Sequence, residues 1–169
     1  AHSTQRIMSP MYMTAGMGDG GSCHPRDNIA LRYMAQQLNL EYDIFDSIMT
    51  AREVQAKNLA KYVVDMKNKY GGSIILNGIS YKPGVPYIDG SYALLVDHYL
   101  KDMGESAIYI DPLASEMPSS QTNIGGIVLL CHPEHYLDYS TDSVIIDPWR
   151  RTPKSSEYMI IHYGNTRQQ

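Results

Sequence analysis

From Tyr42 to Lys69 the chain contains neither glycine nor proline, and the stretch is closed by Gly71-Gly72. Within it Ile44, Phe45, Ile48, Met49, Val54, Leu59, Val63 and Met66 recur near helical spacing, so one long helix is expected. A helix longer than about 25 residues needs a partner along much of its side, because helical stability in a protein comes mainly from burying an apolar face. The fold must therefore give this helix either a broad internal surface or a second copy to lie against. Its apolar side, Ile44, Ile48, Val63 and Met66 among others, is expected to face that second copy.

Beyond the two glycines the pattern changes. Ser73 to Ile79, SIILNGI, is a short apolar run suited to a buried parallel strand. Ser91 to Met103 then reads as a helix, and Ala107 to Ile110, Ile127 to Cys131 and Ser143 to Ile146 read as strands. Strands alternating with helices predict an α/β fold, its parallel sheet covered on both faces. Ligands of such sheets bind beyond the carboxyl ends of strands, which is where Tyr81-Lys82 and Pro148-Trp149-Arg150 fall. Upstream, residues 25 to 39 carry a further helical stripe of Ile29, Leu31, Met34, Ala35 and Leu38, and residues 1 to 22 read as a looped lead-in. The expected division is a cysteine loop with the helical region over 1–70 and an α/β domain over 71–169.

Composition narrows the function. Hydrophobic residues make up 43% of the 169, enough for a good core and no sign of disorder. A net charge of −4 gives no basic field for phosphodiester backbones, so nucleic acid is not the expected partner. There is no apolar run of the roughly 18 to 20 residues a membrane span requires, so no membrane partner is expected and the expected location is cytoplasmic. Two cysteines so differently placed, Cys23 and Cys131, read as thiols and not as a disulfide.

The chemistry points to Cys23. The run Gly16 to Leu31, GMGDGGSCHPRDNIAL, sets it between a glycine-rich turn and a helix start marked by Pro25, whose fixed φ and missing N–H suit the first helical position. Unpaired N–H groups at such a helix mouth favour a thiolate. Asp27 lies about one turn on, on the same side, where a carboxylate can orient a water that cleaves a covalent intermediate. Gly16, Gly18 and Gly21 also spell GxGxxG, but Pro10, Thr14 and Ala15 make a poor preceding strand. A loop whose backbone approaches a sugar or phosphate is the expected reading. Cys131, His132, Glu134 and His135 lack a second cluster to complete a metal site, so no metal is expected.

The string GGSCHPRD resembles the GGSC(F)PKD segment of the UDP-glucose and GDP-mannose dehydrogenase family. Gly78-Ile-Ser-Tyr-Lys-Pro83 is similar to the family's G-L-A-F-K-P, Tyr109-Ile-Asp-Pro112 to its Y-D-P, and Val144 to Arg150 to its closing strand and arginine, all in the family's order. The resemblance implies a long central helix that carries the dimer contact, followed by a Rossmann-like parallel-sheet domain for a sugar nucleotide. It implies NAD-dependent oxidation of UDP-glucose to UDP-glucuronate, a polysaccharide precursor, with Cys23 forming a thiohemiacetal and then a thioester and Asp27 aiding hydrolysis. Cys23 and Arg26 would lie at the cofactor. Arg6, Tyr12, Thr14, Gly16, Met17, Gly18, Gly20, Tyr81, Lys82 and Arg150 would bind the UDP-sugar, with Arg151 competing with Arg150 for its role. The chain opens at Ala1 with its first motif under way, so the NAD-binding domain is expected upstream in the same polypeptide, and the piece alone is expected to be inactive.

Two departures stand out. Asp19 replaces the family's usual aromatic before GGSC, and Asp89 stands where many members have an arginine that reaches the NAD pyrophosphate. A relative acting on UDP-N-acetylhexosamine or GDP-mannose, and a non-catalytic sugar-nucleotide-binding dimerisation module, remain as alternatives.

Overall fold

The long helix is α2, Ile44–Tyr70. Asp43 caps it, its carboxylate accepting the backbone N–H groups of Phe45 and Asp46 at 3.0 Å each. Lys67 and Lys69 occupy its last turn, where a cation suits the helix dipole, and Gly71 ends it at φ +78°. Before it lies α1, Cys23–Gln37, packed against α2, with only Ala35 buried and Arg32 paired to Asp46 at 2.9 Å. The structure, a computed structural model, describes residues 15–18, 20–114, 125–134, 139–154 and 156–164.

The remaining elements are β1 Ser73–Asn77, α3 Tyr92–Asp102, β2 Ala107–Ile110, β3 Gly126–Leu130, β4 Val144–Asp147 and β5 Met159–His162. All five strands run parallel in the order β2-β1-β3-β4-β5, with Ser73 opposite Gly126 and Asn77 opposite Leu130 at the centre. This is an α/β fold of Rossmann-like architecture. The order reverses between β1 and β3, and in such sheets ligands sit beyond the strand ends at that switch point.

Alternation along the strands divides the core in two. Ile74, Leu76, Ile127, Leu129, Val144 and Ile146 meet Ala56, Leu59, Ala60 and Val63 of α2 and Val96 and Leu100 of α3. Ile75, Ile110, Val128, Leu130 and Ile145 form the other face, closed by Tyr139, Trp149, Tyr158 and Ile160. A sheet covered on both faces was expected. Among the described residues both sheet-covering helices lie on one, and the second is sealed by aromatic residues outside helices. The Tyr139 hydroxyl, accepting from Asn77 Nδ2, ties that cover to β1.

Packing also corrects the expected dimer face. Val63 is 0% exposed and Met66 packs on the same core, because the C-terminal half of α2 covers its own sheet. Ile44 and Ile48, in the N-terminal half, are 53% and 43% exposed. They belong with Ile29, Tyr33, Leu38 and Leu40 to an apolar set that the two helices leave uncovered. The remaining difference is β5, which the sequence pattern did not reveal. No helix among the described residues is long and apolar enough to cross a membrane.

Candidate active site

The first helix opens at Cys23 itself, earlier than its proline suggested. Pro25 is the third helical residue, and it is tolerated there because first-turn N–H groups have no intrahelical partner. Ser22 precedes the helix at φ −71° and ψ −25° and makes no side-chain cap, so Cys23 stands exposed at an uncapped helix mouth. Arg26 Nε donates to Asp27 Oδ1 at 2.9 Å. That bond, with the charges of Asp27 and then Cys23, holds the guanidinium above its ordinary pKa.

Cys23 lines a cavity of about 380 Å³ with Gly20, Gly21, Ser22, Tyr81, Tyr87 and Asp89. Two remote segments meet here, the cysteine loop and the chain leaving β1. Gly21 N–H donates to the Gly90 carbonyl at 3.2 Å and Tyr81 N–H to the Tyr87 carbonyl at 3.0 Å, closing the second segment into a wall. Gly90 has φ +70°, and a Cβ there would come within 2.2 Å of the Gly21 carbonyl oxygen, so a larger residue would force the segments apart.

The wall is anchored from beneath by Asp111, the residue after β2. Its Oδ2 accepts from Ile79 N, Ser80 N and Ser80 Oγ at 2.8 to 3.0 Å, and its Oδ1 from Leu113 N and Ala114 N. Burial pushes this carboxyl's pKa up, but the hydrogen bonds from Ser80, Leu113 and Ala114 outweigh it and the net shift is downward. His132, after β3, donates from Nε2 to the Ser80 carbonyl at 2.8 Å. The buried end of the switch point is thus a polar brace that fixes the base of the Tyr81 segment.

A second cavity, of about 210 Å³, is lined by Gly16, Met17, Gly18, Gln55, Asn58, Leu59, Tyr92, Pro148 and Tyr163. A Cβ on Gly16 would fall 2.7 Å from the Trp149 ring, and one on Gly18 2.1 Å from the Tyr92 ring. These glycines let the loop lie flat on aromatic faces, and this packing does not make a dinucleotide cradle. Nearby, Asp147 gathers the N–H groups of Trp149 and Arg150 on Oδ1 and of Arg151 and Thr152 on Oδ2. Burial raises its pKa, and its bonds from Thr152, Trp149 and Arg150 more than reverse this.

The expected site residues are therefore distributed. Gly20 and Tyr81 join Cys23, while Gly16, Met17 and Gly18 line the second cavity. Lys82 is exposed, its Nζ 5.3 Å from the Tyr81 ring centroid, and the Arg150 guanidinium reaches the Tyr163 carbonyl at 3.4 and 3.5 Å. Arg151 presents its backbone N–H to Asp147. Arg6, Tyr12 and Thr14, like His135, lie outside the described residues. Tyr87 was not foreseen, since nothing in its spacing marks it, and Asp89 was noted only as a departure. Among the described residues no group of three or more His, Cys, Asp or Glu side chains converges. Cys131 is buried, which pushes its thiol pKa up.

Residues 1–54 match the central domain of the UDP-glucose/GDP-mannose dehydrogenase family. Over 105 residues the chain is 28% identical to the UDP-glucose 6-dehydrogenase AglM of Haloferax volcanii, covering 62% of this chain and 24% of that protein. Over 77 residues it is 36% identical to a GDP-mannose 6-dehydrogenase of Pseudomonas putida, covering 46% and 17%. The crystal structure of a GDP-mannose dehydrogenase from Pseudomonas aeruginosa superposes on 90% of this chain and 42% of its own, with TM-score 0.69 at 19% identity, and so shares its fold. The chain spans about a quarter of the length of the first curated relatives it matches.

Proposed function

On the premise of family-level membership in the UDP-glucose/GDP-mannose dehydrogenase superfamily, we propose that this chain carries the covalent half-site and sugar-nucleotide domain of a dehydrogenase that converts UDP-glucose to UDP-glucuronate. The observation that carries the reading is the cavity in which Cys23 meets Tyr81, bringing the GGSCHPRD block against the G-I-S-Y-K-P block. A thiol at an uncapped helix mouth is suited to attack. The Cys23 sulfur bonds to the carbonyl carbon of a sugar aldehyde, the carbonyl oxygen takes a proton, and a thiohemiacetal results. Once oxidised to the thioester, the adduct is released when water bonds to that carbon and the C–S bond breaks, giving the acid and the thiol. Asp27, held by Arg26, orients that water.

NAD is the hydride acceptor that this reading calls for. The described residues do not form a dinucleotide cradle, since Gly16 and Gly18 lie on Trp149 and Tyr92. Lys82 and Arg150, a flexible cation and a fork, are the proposed holders of the UDP diphosphate. In a turnover assay of the complete polypeptide, Cys23→Ser should lower acid formation by at least ~10²-fold. Near-normal acid production by that variant would sink the assignment.

The packing of Gly16 on Trp149 and of Gly18 on Tyr92 leaves room for a second reading, a sugar-nucleotide-binding module that dimerises without catalysis. The two part on one measurement. Under the module reading Cys23→Ser leaves UDP-glucose binding and every assayable turnover unchanged.

A further inference from the structure

We propose that Asp147 is a positioning residue for the sugar nucleotide, its carboxylate fixing the backbone of Arg150 so that the guanidinium stands where a diphosphate can meet it. This rests on the reading of Arg150 as a holder of that diphosphate. Among the described residues two other than glycine have positive φ, Asn39 at +50° and Arg150 at +55°. Asparagine enters the left-handed region readily. For an arginine it is uncommon, and it persists where the surroundings impose it.

Asp147 imposes it here. The two peptide planes that flank the Arg150 Cα carry the N–H groups of Arg150 and Arg151, and these donate at 2.9 Å each to Oδ1 and Oδ2 of the one buried carboxylate. Trp149 and Thr152 each add an N–H at 2.8 Å, one to either oxygen. Successive N–H groups converge in this way where the chain passes through a left-handed residue, forming an anion-binding nest that holds the protein's own aspartate. The consequence lies at the side chain. Arg150 Nε and Nη2 reach the Tyr163 carbonyl at 3.4 and 3.5 Å, and Tyr163 lines the second cavity with Gly16 and Gly18. Contacts that long to one neutral oxygen orient a guanidinium without saturating its five donors, so it stays competent to take a phosphate.

Calorimetric titration of the full chain with UDP tests this. Arg150→Ala should weaken binding about tenfold, the loss expected of one charge-assisted bond. Asp147→Asn should weaken it to a similar degree, although removing a negative charge by itself favours an anion. The double variant should bind no worse than Arg150→Ala, because both residues act through one contact. Binding should also become less salt-dependent by the same amount in the two single variants, which a loss of stability alone would not cause. The backbone is tested without touching Asp147: Arg150→Gly should melt about 2–4 °C above Arg150→Ala, since alanine is strained at positive φ. An alanine variant as stable as the glycine one overturns the proposal, as do losses that add in the double variant. UDP affinity kept in Asp147→Asn but lost in Arg150→Ala overturns it too and leaves Arg150 as a holder of the diphosphate. Affinity unchanged in Arg150→Ala removes that reading and the proposal together.

Discussion

Asp111 and Asp147 do the same work at two strand ends. Each comes after an isoleucine and before a proline, and each turns the chain by drawing the next backbone N–H groups onto a buried carboxylate. In the folded protein both pKa values are depressed, so their contribution to stability is complete above the unfolded value near 4 and is lost as pH falls through the folded value. The unfolding midpoint should therefore drop on acidification below about pH 4. Asp111→Asn turns one oxygen into a donor facing N–H groups, and should cost on the order of 2–4 kcal/mol at neutral pH while flattening the acid dependence. Thermal unfolding at stepped pH measures both, and a variant as stable as the parent would show that Asp111 does not hold the wall of the Cys23 cavity. The acidic residues of the Y-D-P and I-D-P blocks were legible as motif positions. Their role was not, because spacing shows which residue type sits at a strand end but not which N–H groups fold back to it.

Secondary structure was legible wherever burial imposed a period. The long helix emerged as Ile44–Tyr70, and the first four strands came within two residues of their expected limits, since each is apolar on one or both faces. The fifth strand, Met159–His162, at the sheet edge opposite β2, was not read from the sequence, although it is a short apolar run like the others. Which face each helix covers was equally hidden, because that depends on how the crossovers run. Cysteine, tyrosine and aspartate meeting in one cavity is likewise a consequence of sheet order, which periodicity does not encode. The start of the long helix depends on one carboxylate: Asp43→Ala should cost about 1 kcal/mol and lower Tm by about 2–4 °C. An unchanged melt would mean that packing alone fixes that end.

The whole molecule is asymmetric in what it covers. The sheet is closed on both faces, yet Leu38 is 67% exposed, and Ile29 and Tyr33 of α1, Leu40 of the connection, and Ile44 and Ile48 of α2 are exposed as well. Exposed apolar residues on and between two packed helices mark an interaction surface, and a second copy offering the same surface closes it by two-fold symmetry. The expected state is a homodimer formed through the α1 side and the N-terminal half of α2, so sedimentation should report twice the 19.0 kDa chain mass. Two substitutions separate this interface from the core. Ile48→Asp should shift the mass to that of one chain, because it places a charge in the paired face. Val63→Ala should leave the mass doubled but lower Tm, because that side chain is fully enclosed by its own sheet. A wild-type chain that sediments as a monomer would refute the pairing, and an Ile48→Asp variant that stays dimeric would place the contact elsewhere.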